Sequence, residues 1–217
     1  MADATPDSSD QLILSALDLF GRHGFEGTST RLIAKAAGKP MSLITYHFGG
    51  KNELYVAVAR YIAARMADLM APTLAAMRTA DDGGPANARS QIHTIFSAML
   101  TIMLGSQSAS WARFIVREQM EPTPAFDELY NGPMGPLLRH LTGLVQRVAS
   151  YPIEEGEARL RAVAMFGQVL VFRVARAAVL RSTGWSDIGS TQVEQVRAVV
   201  LAQIDAILDS MERKDKP

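Results

Sequence analysis

The chain has 217 residues, 48% of them hydrophobic, with 22 basic against 22 acidic side chains and no cysteine. That is enough apolar material to bury a core, in one large domain or in a small domain joined to a larger one, and the missing thiols exclude a disulfide framework, a zinc–thiolate cluster and a thiol nucleophile. The opening residues MADATPDSSD lack the basic-then-apolar order of a secretion signal, and no apolar run approaches the ~20 residues of a membrane span, so a cytoplasmic protein with no membrane partner is expected.

Residues 1–8 are predicted to form a disordered arm. From Ser9 onward Ile13, Ala16, Leu17 and Phe20 recur at helical spacing, up to the glycines Gly21 and Gly24. Thr28 or Ser29 can cap a second helix with the apolar face Leu32, Ile33, Ala36 and Ala37, ended by Gly38 in a left-handed conformation. After a break at Lys39, Pro40 and Met41, Ser42 opens a short third helix, SLITYHF, which closes at Gly49 and Gly50. A long helix follows from about Lys51 to Met77, with a kink or a stop expected near Met70 because Pro72 cannot donate to the helical ladder.

Clusters of turn-forming residues then divide the remainder: DDGGP at 81–85, EPTP at 121–124, NGP at 131–133, YP at 151–152 and STGWSDIGS at 182–190. They bound further helices. One, from Glu154 to Arg181, is apolar nearly all round in its middle, and the last, about Thr191 to Met211, carries a stripe of Val193, Val196, Val200, Ile204, Ile207 and Met211. No alternating strand pattern persists, so the fold class is all-α.

Charge is balanced overall but not locally. From Arg22 to Lys51 there are five basic residues, Arg22, Arg31, Lys35, Lys39 and Lys51, against the single acid Glu26. A helix, a glycine turn and a second short helix in a locally basic segment is the layout of a helix-turn-helix whose second helix enters the major groove of DNA. Ala34, Ala36 and Ala37 permit close helix approach, and Ser42, Thr45, Tyr46 and His47 are hydrogen-bonding groups suited to base edges and phosphates. His47 has no histidine or carboxylate at ligand spacing, so no metal role is expected.

The stretch FGRHGFEGTSTRLIAKAAGKPMSLITYHFGGKNELY resembles the DNA-binding domain of the TetR family of bacterial regulators. The match lies in the glycine after the first helix, the Thr-Ser cap, the Ile-Ala and Ala-Gly pairs, and the Tyr-x-Phe followed by lysine. Thr45 stands where many members carry a tyrosine. The resemblance implies a three-helix DNA-binding domain over residues 9–55 and a larger helical ligand-binding and dimerisation domain over 56–217. It implies DNA contacts from Thr28, Ser29, Lys39, Met41, Ser42, Leu43, Thr45, Tyr46, His47 and Lys51, with Thr28, Ser29 and Lys51 on phosphates. WARFIVREQMEPTPAFDELY resembles the C-terminal domain of the YbiH-like, or CecR-like, branch, and Pro122 and Pro124 are expected to bend the chain into a short helix near Ala125.

By the same resemblance the two C-terminal helices would build a four-helix homodimer interface from Val171, Val174, Ala178, Val193, Val196, Val200, Ile204 and Ile207. Methionine and aromatic residues crowd the region between the two ends and suit an adaptable apolar pocket. Met99, Met103, Gln107, Trp111, Arg113, Arg117, Phe166 and Gln168 are its expected lining, with Glu118 and Arg173 as further polar groups. The expected partners are double-stranded operator DNA, a small-molecule effector and a second copy of the chain; no cofactor is expected. A transcriptional repressor, not an enzyme, is the resulting expectation. The alternatives are a DNA-binding dimer without any ligand and a helical enzyme, for which the sequence offers no paired histidines, phosphate loop or Ser-His-Asp spacing.

Overall fold

The computed structural model describes residues 7–78, 83–105 and 108–212 of the chain, which pack as two compact units. Among the described residues every regular element is helical: α1 (Ser8–His23), α2 (Thr30–Ala37), α3 (Ser42–Phe48), α4 (Lys51–Arg78), α5 (Pro85–Leu104), α6 (Ala109–Met120), α7 (Pro124–Leu129), a π-helical turn (Tyr130–Met134), α8 (Gly135–Val148), α9 (Glu155–Val174), α10 (Arg176–Thr183) and α11 (Ser190–Glu212). No single helix among them is long and apolar enough to cross a membrane.

The first unit comprises Met1–Ala67 and Ala109–Pro133. Its helices follow from local backbone chemistry. Asp7 caps α1, which runs through Gly21 and ends at Gly24, where φ is 75°. Ser29, not Thr28, caps α2: its hydroxyl oxygen accepts from the Leu32 amide. Gly38 adopts φ 63° and ψ 32°, and the amides of Gly38 and Lys39 return to the carbonyls of Lys35 and Ala34, the double closure of a Schellman end. Leu12, Ala16, Leu17 and Phe20 of α1 are buried, together with Ile33, Ala34 and Ile44, whereas Leu32 and Ala36 of the expected apolar face of α2 are exposed. In α4 the pairs Leu54–Tyr55, Val58–Ala59 and Ile62–Ala63 recur every four residues and are all buried. Helix α6 packs along α1, and α7 packs on α6.

The second unit comprises Asp68–Ser108 and Met134–Pro217. Here α5, α8, α9 and α11 pack on one another. Ile92, Ile95, Phe96, Met99 and Leu100 of α5 meet Leu141, Leu144, Val145 and Val148 of α8 in the core, with Ala158, Ala162, Met165 and Val169 of α9. Val196, Val200, Ile204, Leu208 and Met211 give α11 a buried stripe at steps of four and three residues.

Of the kink or stop expected near Met70 the stop does not occur: α4 continues through Pro72, since one lost amide donor does not end a helix of 28 residues. The segment expected as one helix from Glu154 to Arg181 is two, bent by 77° between α9 and α10. The compact units also cut the chain differently from the expected division after residue 55. That boundary falls inside α4, and α6 and α7 belong with the N-terminal helices. The expected arm at 1–8 lies mostly outside the described residues; Asp7 and Ser8 start the first helix.

Candidate nucleic-acid interface

Helix α3 is held by one anchor. Ile44 is fully buried and α3 lies against α1, which leaves Met41, Ser42, Thr45, Tyr46 and His47 exposed around the same short helix, with Leu43 half-buried. Tyr46 is 81% exposed, so its ring is not part of the core; it stands steeply against the His47 ring, with centroids 5.0 Å apart. Phe48 is half-buried behind them. The helix and its N-cap residue Met41 therefore present a phenol, an imidazole, two hydroxyls and a thioether to solvent, a mixed set able to donate, accept and touch a methyl group.

Basic groups flank it. Arg31 and Lys35 are exposed on α2, and Lys39 is half-exposed just past the α2 end. Lys51 opens α4, where unpaired amides and the positive end of the helix dipole favour an anion. Its ammonium lies 4.1 Å from the centroid of the Phe25 ring, which gives a long, flexible side chain a preferred position.

Among the DNA-contact candidates, Ser29 is exposed and retains its hydroxyl proton beyond the cap, as the phosphate role requires. Thr28 is a correction. It is 1% exposed, and its hydroxyl donates to the carbonyls of Leu19 and Gly24 at 3.2 and 2.8 Å, so it braces the turn between α1 and α2 and has no free group for a phosphate.

The eight residues expected to line an effector pocket divide between the units. Trp111, Arg113 and Arg117 stand on α6 in the first: Trp111 is buried, while the exposed Arg113 reaches to 3.8 Å from Asp18, and the exposed Arg117 lies against Gly24. Both arginines thus face α1. Gly24 allows this approach, because a Cβ there would stand 2.9 Å from an Arg117 Nη atom and the backbone is left-handed. Met99, Met103, Phe166 and Gln168 lie in the second unit; the two methionines are buried, and the Gln168 side-chain oxygen is enclosed with no hydrogen-bond partner among the described residues. Gln107 lies outside the described residues. Glu118 and Arg173 are engaged structurally. Glu118 accepts from Tyr55 and Thr123, and Arg173 donates to the Met103 and Gly105 carbonyls and to the Ser108 hydroxyl.

The dimerisation candidates also divide. Val196, Val200 and Ile204 are buried inside their own unit and Val193 and Ile207 are half-buried, so the α11 stripe serves the protomer's core. Val171, Val174 and Ala178 are exposed. Sequence reasoning overlooked their companions. Leu160, at 72% exposure, Val163 and Gly167 precede Val171 and Val174 at steps of three and four residues, giving α9 a second apolar stripe that is exposed among the described residues, and Val199 is exposed on α11. The 3-4-4-3 spacing was readable; what could not be read was which of the two α9 stripes the core would take.

Comparison with known proteins agrees with this geometry. Residues 12–58 match the model for bacterial regulatory proteins of the tetR family, and residues 88–211 match the C-terminal domain of the HTH-type transcriptional dual regulator CecR. The CecR regulator of Shigella flexneri is 31% identical over 94% of this chain and 92% of its own length. Two solved structures share the fold: the fatty acid degradation regulator FadR from Bacillus halodurans, with TM-score 0.62 at 17% identity over 92% of this chain and 97% of that one, and AibR in complex with isovaleryl coenzyme A and operator DNA, with TM-score 0.67 at 15% identity over 91% and 97%. These relatives are transcriptional regulators and not enzymes. The chain belongs to the TetR family of DNA-binding transcriptional regulators, in the branch of CecR.

Proposed function

We propose that this regulator is a repressor that binds a palindromic operator in the cytoplasm as a homodimer and leaves it when a small-molecule effector binds the C-terminal region. The observation that carries the reading is α3, a helix with Ile44 buried and Leu43 and Phe48 half-buried whose Ser42, Thr45, Tyr46 and His47 are exposed, in a segment that also carries Arg31, Lys35, Lys39 and Lys51. Met41, Ser42, Leu43, Thr45, Tyr46 and His47 would meet base edges and nearby phosphates, and Ser29, Lys39 and Lys51 the backbone.

One seven-residue helix reads few base pairs. Two copies on a two-fold axis would reach half-sites ~34 Å apart or a multiple of it, hence the palindrome. The uncovered stripe of Leu160, Val163, Gly167, Val171 and Val174 on α9, with Val199, supports pairing with a second copy. The effector reading rests on the enclosed Gln168 side-chain oxygen, which has no hydrogen-bond partner among the described residues, and on AibR, a protein of the same fold solved with both an acyl coenzyme A and its operator. To lower operator affinity a hundredfold the effector must favour the released state by about 2.7 kcal/mol.

Selection of bound fragments from random duplexes, repeated across salt concentrations and with Tyr46→Ala and Lys51→Ala, tests this. A palindrome, weakening by salt and loss with both changes are expected. Enrichment of no sequence, with neither change mattering, would sink the reading.

A further inference from the structure

Glu118 is a carboxylate buried to 1% exposure that the DNA interface does not itself use. One of its oxygens accepts from the Tyr55 hydroxyl at 2.7 Å, and the other accepts from the Thr123 amide at 3.1 Å and the Thr123 hydroxyl at 3.0 Å. It stands on α6, Tyr55 on α4, and Thr123 caps α7, so one side chain fastens three helices of the first unit. The carboxyl oxygen accepts a short hydrogen bond from the phenol, and an unpaired buried partner is costly, so the Tyr55 ring is fixed at its far end.

The ring is the centre of an aromatic cluster. Tyr55 lies 4.7 Å from Phe114, 4.8 Å from Phe20 and 5.1 Å from Phe25, the last two edge to face, and Phe20 stacks on Phe25 at 6.0 Å. Phe25 in turn carries the Lys51 ammonium on its face at 4.1 Å. The contacts run unbroken: Glu118 to Tyr55, Tyr55 to Phe25, Phe25 to Lys51.

We propose that Glu118 and Tyr55 are positioning residues for DNA binding, holding the Phe25 ring where it aims the Lys51 ammonium at a backbone phosphate. The inference rests on the DNA-binding reading of Lys51 given above. It adds that part of the operator affinity is set by a bond between α4 and α6, although α6 falls in the region matched by the C-terminal family domain. An ammonium over one face of a ring still has N–H donors that point away from the ring and can meet a phosphate oxygen.

The test compares the full chain with Tyr55→Phe, Lys51→Met and the double variant, measuring affinity for its selected duplex as a function of salt. Tyr55→Phe keeps the ring and removes only the hydroxyl. It is expected to bind about threefold more weakly and to lower the salt slope by about one, the signature of one lost phosphate contact. Lys51→Met should do the same, and the double variant no more than either. Glu118→Gln, which keeps the side chain's shape, is the second variant should Tyr55→Phe fold poorly. A readout without DNA accompanies it: the Phe25 ring current shifts the Lys51 ε-methylene protons upfield, and both Tyr55→Phe and Glu118→Gln should return them towards the free-lysine position. A lowered melting temperature with unchanged salt slope and unchanged lysine shift overturns the proposal and leaves the DNA-binding reading standing. If the unaltered chain itself shows no salt-dependent duplex binding, that reading falls and takes the proposal with it.

Discussion

The Nε and Nη2 of Arg89 on α5 both donate to one carboxylate oxygen of Asp205 on α11, at 3.0 and 2.7 Å. Arg89 also reaches Asp209 at 2.6 Å and Glu212 at 3.3 Å, while the His93 ring meets the same Asp205 oxygen at 2.8 Å. Burial works against the Asp205 charge, but the bonds from Arg89 and His93 outweigh it and hold the carboxyl below its ordinary value of 3.8. A carboxylate whose pKa is lower folded than unfolded adds stability above the unfolded value and loses it as pH falls through the folded one. Arg89→Met should therefore cost about 1 kcal/mol at neutral pH, the scale of a partly solvated network, and the gap from the unaltered chain should shrink as pH drops below 3.8. Urea unfolding across the acid range checks this; a gap independent of pH there would show that Arg89 contributes only packing.

The exposed stripe of α9 and the buried stripe of α11 predict separable defects. Val171→Asp puts a charge on the uncovered stripe beside Val163 and Val174, and should halve the sedimenting mass while leaving the helical content intact. Val200→Ala opens space in the buried stripe of α11 and should instead cost about 2 kcal/mol of stability with the mass unchanged. Sedimentation together with thermal unfolding distinguishes them. A Val171→Asp chain that sediments like the unaltered one would place the contact between copies elsewhere.

Such contrasts show where the sequence was legible. The span Ser42–Phe48, a capping hydroxyl at Thr28 or Ser29 and the left-handed Gly38 could be read because capping oxygens and a missing Cβ act within a few residues. The end of α9 at Val174 could not, since no glycine or proline marks Ala175 and the bend there must come from packing. Nor does periodicity reveal what covers a stripe: Val196 and Val171 look alike along the chain, yet the first is buried within its own unit and the second is exposed. Thr28 and Ser29 are equally good caps by residue type, and only the fold decides which hydroxyl turns inward. The placement of α6 beside α1 depends on contacts across some 90 residues, so Arg113 and Arg117 could not be assigned to it from spacing.

Thr28 and Tyr46 are expected to fail in opposite ways. Thr28→Val keeps the shape but removes the hydroxyl that bonds Leu19 and Gly24, and should cost about 1–2 kcal/mol of stability. The folded fraction should still bind DNA with the original salt slope. Tyr46→Ala removes a ring that is 81% exposed, so the unfolding midpoint should stay where it is while duplex affinity falls. Paired melting and binding curves decide between them, and a destabilised Tyr46→Ala would mean that the ring packs in a way the fold does not show.

Arg173 gives the sharpest test of geometry against charge. Its Nε donates to the Met103 carbonyl at 2.5 Å and its Nη2 to the Gly105 carbonyl and the Ser108 hydroxyl, both at 2.7 Å, closing the end of α5 from across the second unit. Burial, reinforced by the positive charge of Arg176, lowers its pKa, so the cation is held there at some electrostatic cost. The bonds it makes to the last turn of α5 and to the loop after it must offset that cost, and they need two donors set at the fixed angle of a guanidinium. Arg173→Met should lose about 1–3 kcal/mol by leaving those acceptors unpaired. Arg173→Lys restores the charge beside the negative end of α5 but offers one ammonium in place of the fork, and should recover less than half of the loss. Complete recovery with lysine, read by urea unfolding, would mean that the helix dipole alone is being satisfied and that the paired bonds are incidental.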